Sequence, residues 1–309
     1  MPGTPIHRSL TQGDWTRLAF LSVLWGGSFL FYRVLAAELP PLTVVFGRVL
    51  LGLLGLVAIL RLRGQKVALP RAQWRQFLIL GLLNNAIPFT LFAWAETRIG
   101  GGTASILNAM TPLFVALVTG LVWRTETLTA AKLAGILCGV AGVAVLVGPQ
   151  ALLGQDVWGQ AACLLAALSY GFGAPYGKRI IGVAPPGMAL GQMLASTLLV
   201  APLCLAIDRP WTLAPPSPAA WGALLGIALL STSLAYLMFF DLLARTGAGN
   251  LVLVTFLVPV SALLLGAAVL GEAITAPALA GMALIAAGLA AIDGRLPATI
   301  RRGWLPAGR

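Results

Sequence analysis

The sequence predicts an all-α membrane protein, ten transmembrane helices arranged as two inverted five-helix repeats around a central cavity. Three observations predict it. The 309 residues are 59% hydrophobic and only 9% charged, where a soluble domain carries roughly 25% charged residues. Apolar runs of membrane-spanning length recur ten times. The second half of the chain repeats landmarks of the first at a shift of 145 to 147 residues.

A membrane helix needs about 20 mostly apolar residues. Charges, glycines and prolines divide the chain into spans near 15–36, 42–61, 74–95, 101–123, 129–148, 158–180, 187–207, 220–243, 248–270 and 275–293. The first, starting at Trp15, is longer than the roughly 7–15 apolar residues of a signal-peptide core, so it reads as a retained span. The organisation is then an arm at 1–14, a first repeat at 15–148, a linker at 149–157, a second repeat at 158–293 and a basic tail at 294–309. The connections are short and leave no room for a soluble domain.

Net charge is +11. On a membrane protein basic residues report orientation, because cytoplasmic loops are enriched in Lys and Arg. With the N-terminus cytoplasmic, sixteen of the twenty Lys and Arg fall inside. Only Arg33, Arg98 and Arg209 fall outside, and Arg48 lies within a span. Both termini are therefore expected in the cytoplasm of a bacterial cell, with the protein multi-pass in the inner membrane. The lipid bilayer is its surroundings, and nucleic acid is not an expected partner. Cys138, Cys163 and Cys204 lie singly in apolar runs, without metal-ligand spacing. The one histidine is His7, and no nucleotide-binding, zinc-hydrolase or nucleophile-elbow motif is present. Neither a metal, a cofactor nor an enzymatic activity is expected.

The repeat is specific. At a shift of 147, Trp74 meets Trp221, Arg98 meets Arg245 and Pro112 meets Pro259. At 146, Glu126 meets Glu272 and Gly135 meets Gly281, and at 145, Pro40-Pro41 meets Pro185-Pro186. Five spans per copy is odd, so the second copy must enter the membrane from the opposite side. That is an inverted repeat, the plan of many secondary transporters.

Polar groups at mid-membrane are costly and should face the bundle interior or a wet path. Counting depth along each span puts Trp25, Ser28 and Tyr32 on one face of the first, Asn84 and Asn85 in the third, and Asn108 and Thr111 in the fourth. Ser169 and Tyr170 lie in the sixth, Ser231 and Thr232 with Tyr236 in the eighth, and Thr255 in the ninth. These are the candidate substrate-binding residues. Pro88, Pro112 and Pro259 each follow a polar residue by four (Asn84, Asn108, Thr255). A proline cannot bond the carbonyl four residues earlier, so each is a candidate kink that frees an acceptor beside a polar side chain. The simpler alternative is a bent helix whose carbonyl finds another partner.

Arg48, early in the second span, either snorkels to the outer surface, pairs with Glu38, or holds an anionic group such as a substrate carboxylate in a vestibule. The nine acidic residues fall in arms, loops or terminal turns, so no central protonatable carboxyl is expected. Asp241 and Arg245, four apart, are expected to pair. Gly135-x-x-x-Gly139 and Gly281 to Gly288 permit close helix contact within the chain or a homodimer.

The stretches "WGGSFLFYRVLAAELPPLTVVFGRVLLG" (25–52), "GGGTASILNAMTPLFVALVTGLVWRTETLTAAKLAGILCGVAGV" (100–143) and "LGEAIT" (270–275) resemble the EamA branch of the drug/metabolite transporter superfamily. The resemblance covers nearly the whole chain. One departure is Thr125-Glu126 where the family tends to have Gly-Glu. The resemblance implies two inverted halves around a cavity drawn from helices 1, 3, 4, 6, 8 and 9, alternating access, and export of metabolites such as amino acids. Without a charged central acid the chain is more similar to uncoupled amino-acid exporters than to small multidrug antiporters. The expected activity is export of small metabolites, amino acids first and aromatic or apolar ones favoured. The alternatives are efflux of hydrophobic compounds and, from another class, a membrane sensor or enzyme subunit.

Overall fold

The computed structural model describes residues 10–65, 67–125, 127–147, 156–251 and 253–293. Most of the N-terminal arm with His7 and Arg8, Lys66, Glu126, most of the linker and the basic tail lie outside the described residues. Among the described residues all regular structure is helical. The membrane helices are α1 (Gln12–Leu35), α2 (Pro41–Leu62), α3 (Arg71–Ala95), α4 (Gly101–Val122), α5 (Ala130–Val147), α6 (Val157–Gly177), α7 (Pro185–Asp208), α8 (Pro218–Leu243), α9 (Val254–Leu270) and α10 (Ala276–Asp293). Seven are long and apolar enough to cross a membrane, while α5, α9 and α10 carry shorter apolar stretches.

Local sequence sets the boundaries. Thr11 and Asp14 form a reciprocal capping box that starts α1. Pro41, Pro185 and Pro218 sit in the first turns of α2, α7 and α8, where a missing N–H costs nothing. Gly271 ends α9 at φ +67°, a conformation glycine adopts without penalty.

Two expected spans are interrupted. The fourth breaks after Asn108, and a new turn starts at Thr111-Pro112. Pro112 has no N–H for the Asn108 carbonyl, and the Thr111 hydroxyl donates to that carbonyl instead at 2.8 Å. The ninth breaks between a short turn at Ala248–Leu251 and α9 proper. Pro259 stays inside α9.

Helix pairing obeys an inverted two-fold. α1 packs on α9 and its counterpart α6 on α4; α3 packs on α6 and α8 on α1; α3 packs on α7 and α8 on α2; α5 packs on α10. Small residues make these approaches. A Cβ on Gly142 or Gly281 would stand 2.8 Å from the other's carbonyl oxygen, and one on Gly288 would stand 2.5 Å from that of Gly135. The glycine faces of α5 and α10 are thus consumed within the chain. Between α1 and α9, Gly26 admits Ser261, whose hydroxyl donates to the Ser22 carbonyl at 2.7 Å.

Candidate functional site

The centre of the bundle is built on two widened helical turns. α3 adopts π-helical hydrogen bonding over Leu82–Ala86 and α8 over Gly226–Leu234. The two segments are repeat counterparts, and π-turns expose carbonyls and concentrate at functional sites. In α8 the freed acceptors are taken by hydroxyls five residues on. Thr232 donates to the Ile227 carbonyl at 2.8 Å and Ser233 to that of Ala228 at 3.1 Å. In α3 the turn carries Asn84 and Asn85.

Arg48 reaches this centre instead of the surface. Its residue is 5% exposed. Nη1 donates to the Tyr32 hydroxyl at 2.7 Å and Nε to the Thr232 hydroxyl at 3.0 Å. The guanidinium lies 3.6 Å from the centre of the Phe89 ring, a favourable cation–π geometry. Snorkelling is excluded by this burial, and so is pairing with Glu38, which accepts from the Ser217 N–H and hydroxyl instead. Among the described residues no carboxylate lies within ion-pair distance of Arg48.

The repeat places a second network opposite. Met193 is the counterpart of Arg48, and Asn85 that of Thr232. Asn85 Nδ2 lies 3.7 Å from Met193 Sδ and donates to the Ser196 hydroxyl at 2.9 Å, while its Oδ1 accepts from the Tyr236 hydroxyl at 2.8 Å. The chain therefore holds a cationic polar network and a neutral one, related by an approximate two-fold.

The structure brings some expected residues together and separates others. Tyr32, Arg48, Asn85, Thr232 and Tyr236 share the two networks. Ser231, buried beside them, has a hydroxyl with no hydrogen-bond partner among the described residues. Trp25 packs on Phe239 at 5.5 Å between ring centres, and Tyr170 stacks on Phe92 at 6.3 Å. Ser169 donates to the Leu83 carbonyl at 2.7 Å, tying α6 to the α3 π-turn. Asn84 is half-buried against α6, where Gly173 makes room for it. Ser28 donates only to its own helix, at the Trp25 carbonyl. Asn108 and Thr111 bond each other, beside the proline break. Thr255 and Pro259 line a small cleft with Ile106, Ala109 and Met282, apart from the central networks. Met193, Ser196 and Phe89 belong to the centre but were not expected there. The signal for Met193 and Phe89 is the repeat, which pairs them with Arg48 and Tyr236.

The two ends differ. On the face where α1 begins, a cavity of about 260 Å³ opens between α1, α2 and α8, lined by Arg17, Arg63, Leu234, Leu237, Met238 and Asp241. Arg245 does not pair with Asp241, because its Nε reaches Asp14 Oδ1 at 3.6 Å. At the opposite face, polar ties join one half to the other. Arg98 bonds Asp156 at 2.8 Å, Thr43 N–H and hydroxyl donate to Asp208 at 2.7 and 3.0 Å, and Arg33 stands 3.9 Å from Glu272. Hydrogen bonds from Ser217 hold the Glu38 carboxyl below its usual range, and the Arg98 guanidinium does the same for Asp156. Glu96, expected in a terminal turn, is fully buried at this face.

The EamA-like transporter family matches residues 15–148 and again 157–292. The uncharacterized transporter YvbV of Bacillus subtilis is 28% identical over 285 residues, 89% of this chain and 90% of that one. The uncharacterized inner membrane transporter YedA of Escherichia coli K12 is 29% identical over 82% of each chain. A probable terminal-alkyne amino-acid exporter of Streptantibioticus cattleyicolor is 30% identical over 222 residues, 71% of this chain and 73% of its own length. A crystal structure that is 21% identical superposes with a TM-score of 0.65 over 91% of this chain and 98% of that one, which shows a shared fold. The chain belongs to the EamA-like transporter family, within the drug/metabolite transporter superfamily, and is a multi-pass membrane transporter.

Proposed function

We propose that this transporter exports small metabolites bearing a carboxylate, amino acids first among them, from the cytoplasm across a bacterial inner membrane. The single observation that carries the reading is Arg48, a buried cation with no carboxylate partner among the described residues. An unpaired buried charge is expensive, and a substrate carboxylate would complete it. Its planar fork suits bidentate recognition of a carboxylate. Tyr32 and Thr232 hold the guanidinium in place, and Trp25, Phe89 and Tyr170 supply aromatic surface for an apolar side chain. Asn84, whose carbonyl oxygen lies against Gly173 and whose side chain makes no hydrogen bond among the described residues, would present that carbonyl to the ammonium only after turning away from α6.

The positive-inside distribution supports reading the face with the 260 Å³ cavity as the cytoplasmic one. Substrate enters there, and the tied outer face opens after the two halves rock, with Pro112 and the two π-turns as the compliant points. Among the described residues no carboxylate lies within ion-pair distance of Arg48, so on this reading the loaded carrier needs no proton there. Kinship with a probable amino-acid exporter supports the substrate class.

Purified protein in vesicles loaded with a labelled amino-acid panel tests this. The expected result is efflux of aromatic and branched apolar amino acids down their own gradients, competed by one another. Efflux of hydrophobic cations without any of amino acids would replace this reading with drug export.

A further inference from the structure

Glu96 follows the last residue of α3 on the outer face and is 0% exposed. Neither of its carboxyl oxygens meets a hydrogen-bond donor among the described residues. The donors nearby are spent elsewhere. Arg33 Nη1 goes to the backbone carbonyl of Glu96 at 2.9 Å. The Gly101 and Gly102 N–H groups point to the Glu272 carboxylate at 3.3 and 3.4 Å. Two acids thus flank one turn: a Cβ on Gly101 would stand 3.2 Å from Glu96 Oε2, and one on Gly100 would stand 3.3 Å from Glu272 Oε1. Only Glu272 receives that turn's donors.

The groups that act on Glu96 are Glu272 from the α9–α10 loop, Arg33 on α1 and Arg48 on α2, and Glu96 acts in turn on Tyr32 of α1 and Cys163 of α6. An ionised carboxylate in a dry site without donors costs several kcal/mol. Burial and then Glu272 push the Glu96 carboxyl well above its usual range, against the pull of Arg33 and Arg48.

We propose that Glu96 is a proton-binding site of the outer gate, which closes over the neutral acid and opens onto the ionised one. The neighbouring ties Arg98–Asp156, Thr43–Asp208, Glu38–Ser217 and Arg33–Glu272 are what must separate for water to reach it. On closure one proton passes from the outer medium to a Glu96 oxygen, and on opening it returns to the same medium. No other bond changes and no net proton crosses the membrane at this site. The proton is therefore a ligand of the outward-closed state. External acidity shifts the closed-to-open ratio by up to about tenfold per pH unit between the two states' pKa values. The outer gate is part of the transport reading above, and the inference rests on it, but not on the substrate.

Two measurements test it on the full chain. In the first, infrared spectroscopy of protein in lipid nanodiscs at neutral pH should show one protonated-carboxyl band that Glu96→Gln removes. An unchanged spectrum overturns the proposal. In the second, Ser28→Cys in a background with Cys138, Cys163 and Cys204 replaced by alanine is labelled from outside with an impermeant thiol reagent. Rates are normalised to denatured protein at each pH. Labelling should slow as the outer pH falls, stay slow at every pH in Glu96→Gln, and keep its pH dependence in Glu96→Asp. A pH-flat wild type, or a Glu96→Gln profile like wild type, overturns it. Amino-acid efflux with flat labelling refutes Glu96 alone, whereas pH-dependent labelling without amino-acid efflux refutes the substrate alone.

Discussion

Replacing Arg48 by methionine separates its structural duty from its recognition duty. The second repeat has Met193 at the equivalent place, packed beside Asn85, so the fold already accommodates that side chain in this geometry. The variant loses the bonds to Tyr32 at 2.7 Å and Thr232 at 3.0 Å and the stacking on Phe89. Thr232 keeps its bond to the Ile227 carbonyl. It also loses a buried charge that no carboxylate neutralises, so the two effects oppose each other and the melting temperature should move little. Recognition should move a great deal. A hydrogen bond to a charged group is worth about 1.5–3 kcal/mol, and 1.4 kcal/mol is about tenfold in affinity. Half-saturation for an amino acid should therefore rise roughly 10- to 150-fold. For the decarboxylated amine of the same side chain it should hold or improve. The assay is efflux from proteoliposomes with both compounds, alongside thermal denaturation. Equal losses for the acid and the amine at unchanged stability would refute a carboxylate contact at Arg48, and so would no loss for either.

Three further outcomes follow from the packing and the outer ties. Gly281→Val puts a Cβ where the Gly142 carbonyl oxygen stands 2.8 Å away, so α5 and α10 must part. Overpacking of this kind costs about 1–3 kcal/mol, read as a lower melting temperature, and Gly142→Ala should act in the same direction. Asn85→Ala strands the Tyr236 hydroxyl and loses the Ser196 bond. Leaving a buried polar group unpaired costs about 1–3 kcal/mol, and transport should fall with stability, whereas Ser196→Ala should be milder because Tyr236 keeps its acceptor. Asp156 has a lowered folded pKa through Arg98, so its contribution is complete above its usual value of 3.8 and fades as pH falls through the lower folded value. Arg98→Gln should therefore reduce stability at neutral pH and flatten the acid limb of an unfolding-versus-pH curve. An unchanged acid limb would count against that pair.

Much of the architecture was legible because hydrophobic length and repetition are one-dimensional signals. The shift that carries Trp74 onto Trp221 also carries the α3 π-turn onto the α8 π-turn, and depth counting found Asn85 and Thr232 inside them. What stayed hidden was which way a side chain turns. Arg48 lies two turns from the start of α2, and sequence alone leaves open whether it climbs to water or bends inward. Its answer depends on Tyr32, Phe89 and Thr232, which come from three other helices. Glu96 looked like a solvated helix end because its burial is made by α1, α4 and the Glu272 loop. Helical spacing pairs Arg245 with Asp241, but the start of α1 brings Asp14 to it instead. Thr255 shares its depth with Asn85, yet the break before α9 sets it in a different cleft. Depth is readable along one chain, while azimuth and cross-repeat partnership require the packed bundle.

The central claim is that Ser231, Thr232 and Arg48 line a chamber reached from one face at a time. Ser231→Cys, in the cysteine-replaced background, should be labelled by an impermeant thiol reagent from the cytoplasmic face, and saturating internal amino acid should slow that labelling. Reaction only with a lipid-soluble reagent, or equal labelling from both faces at once, would contradict it.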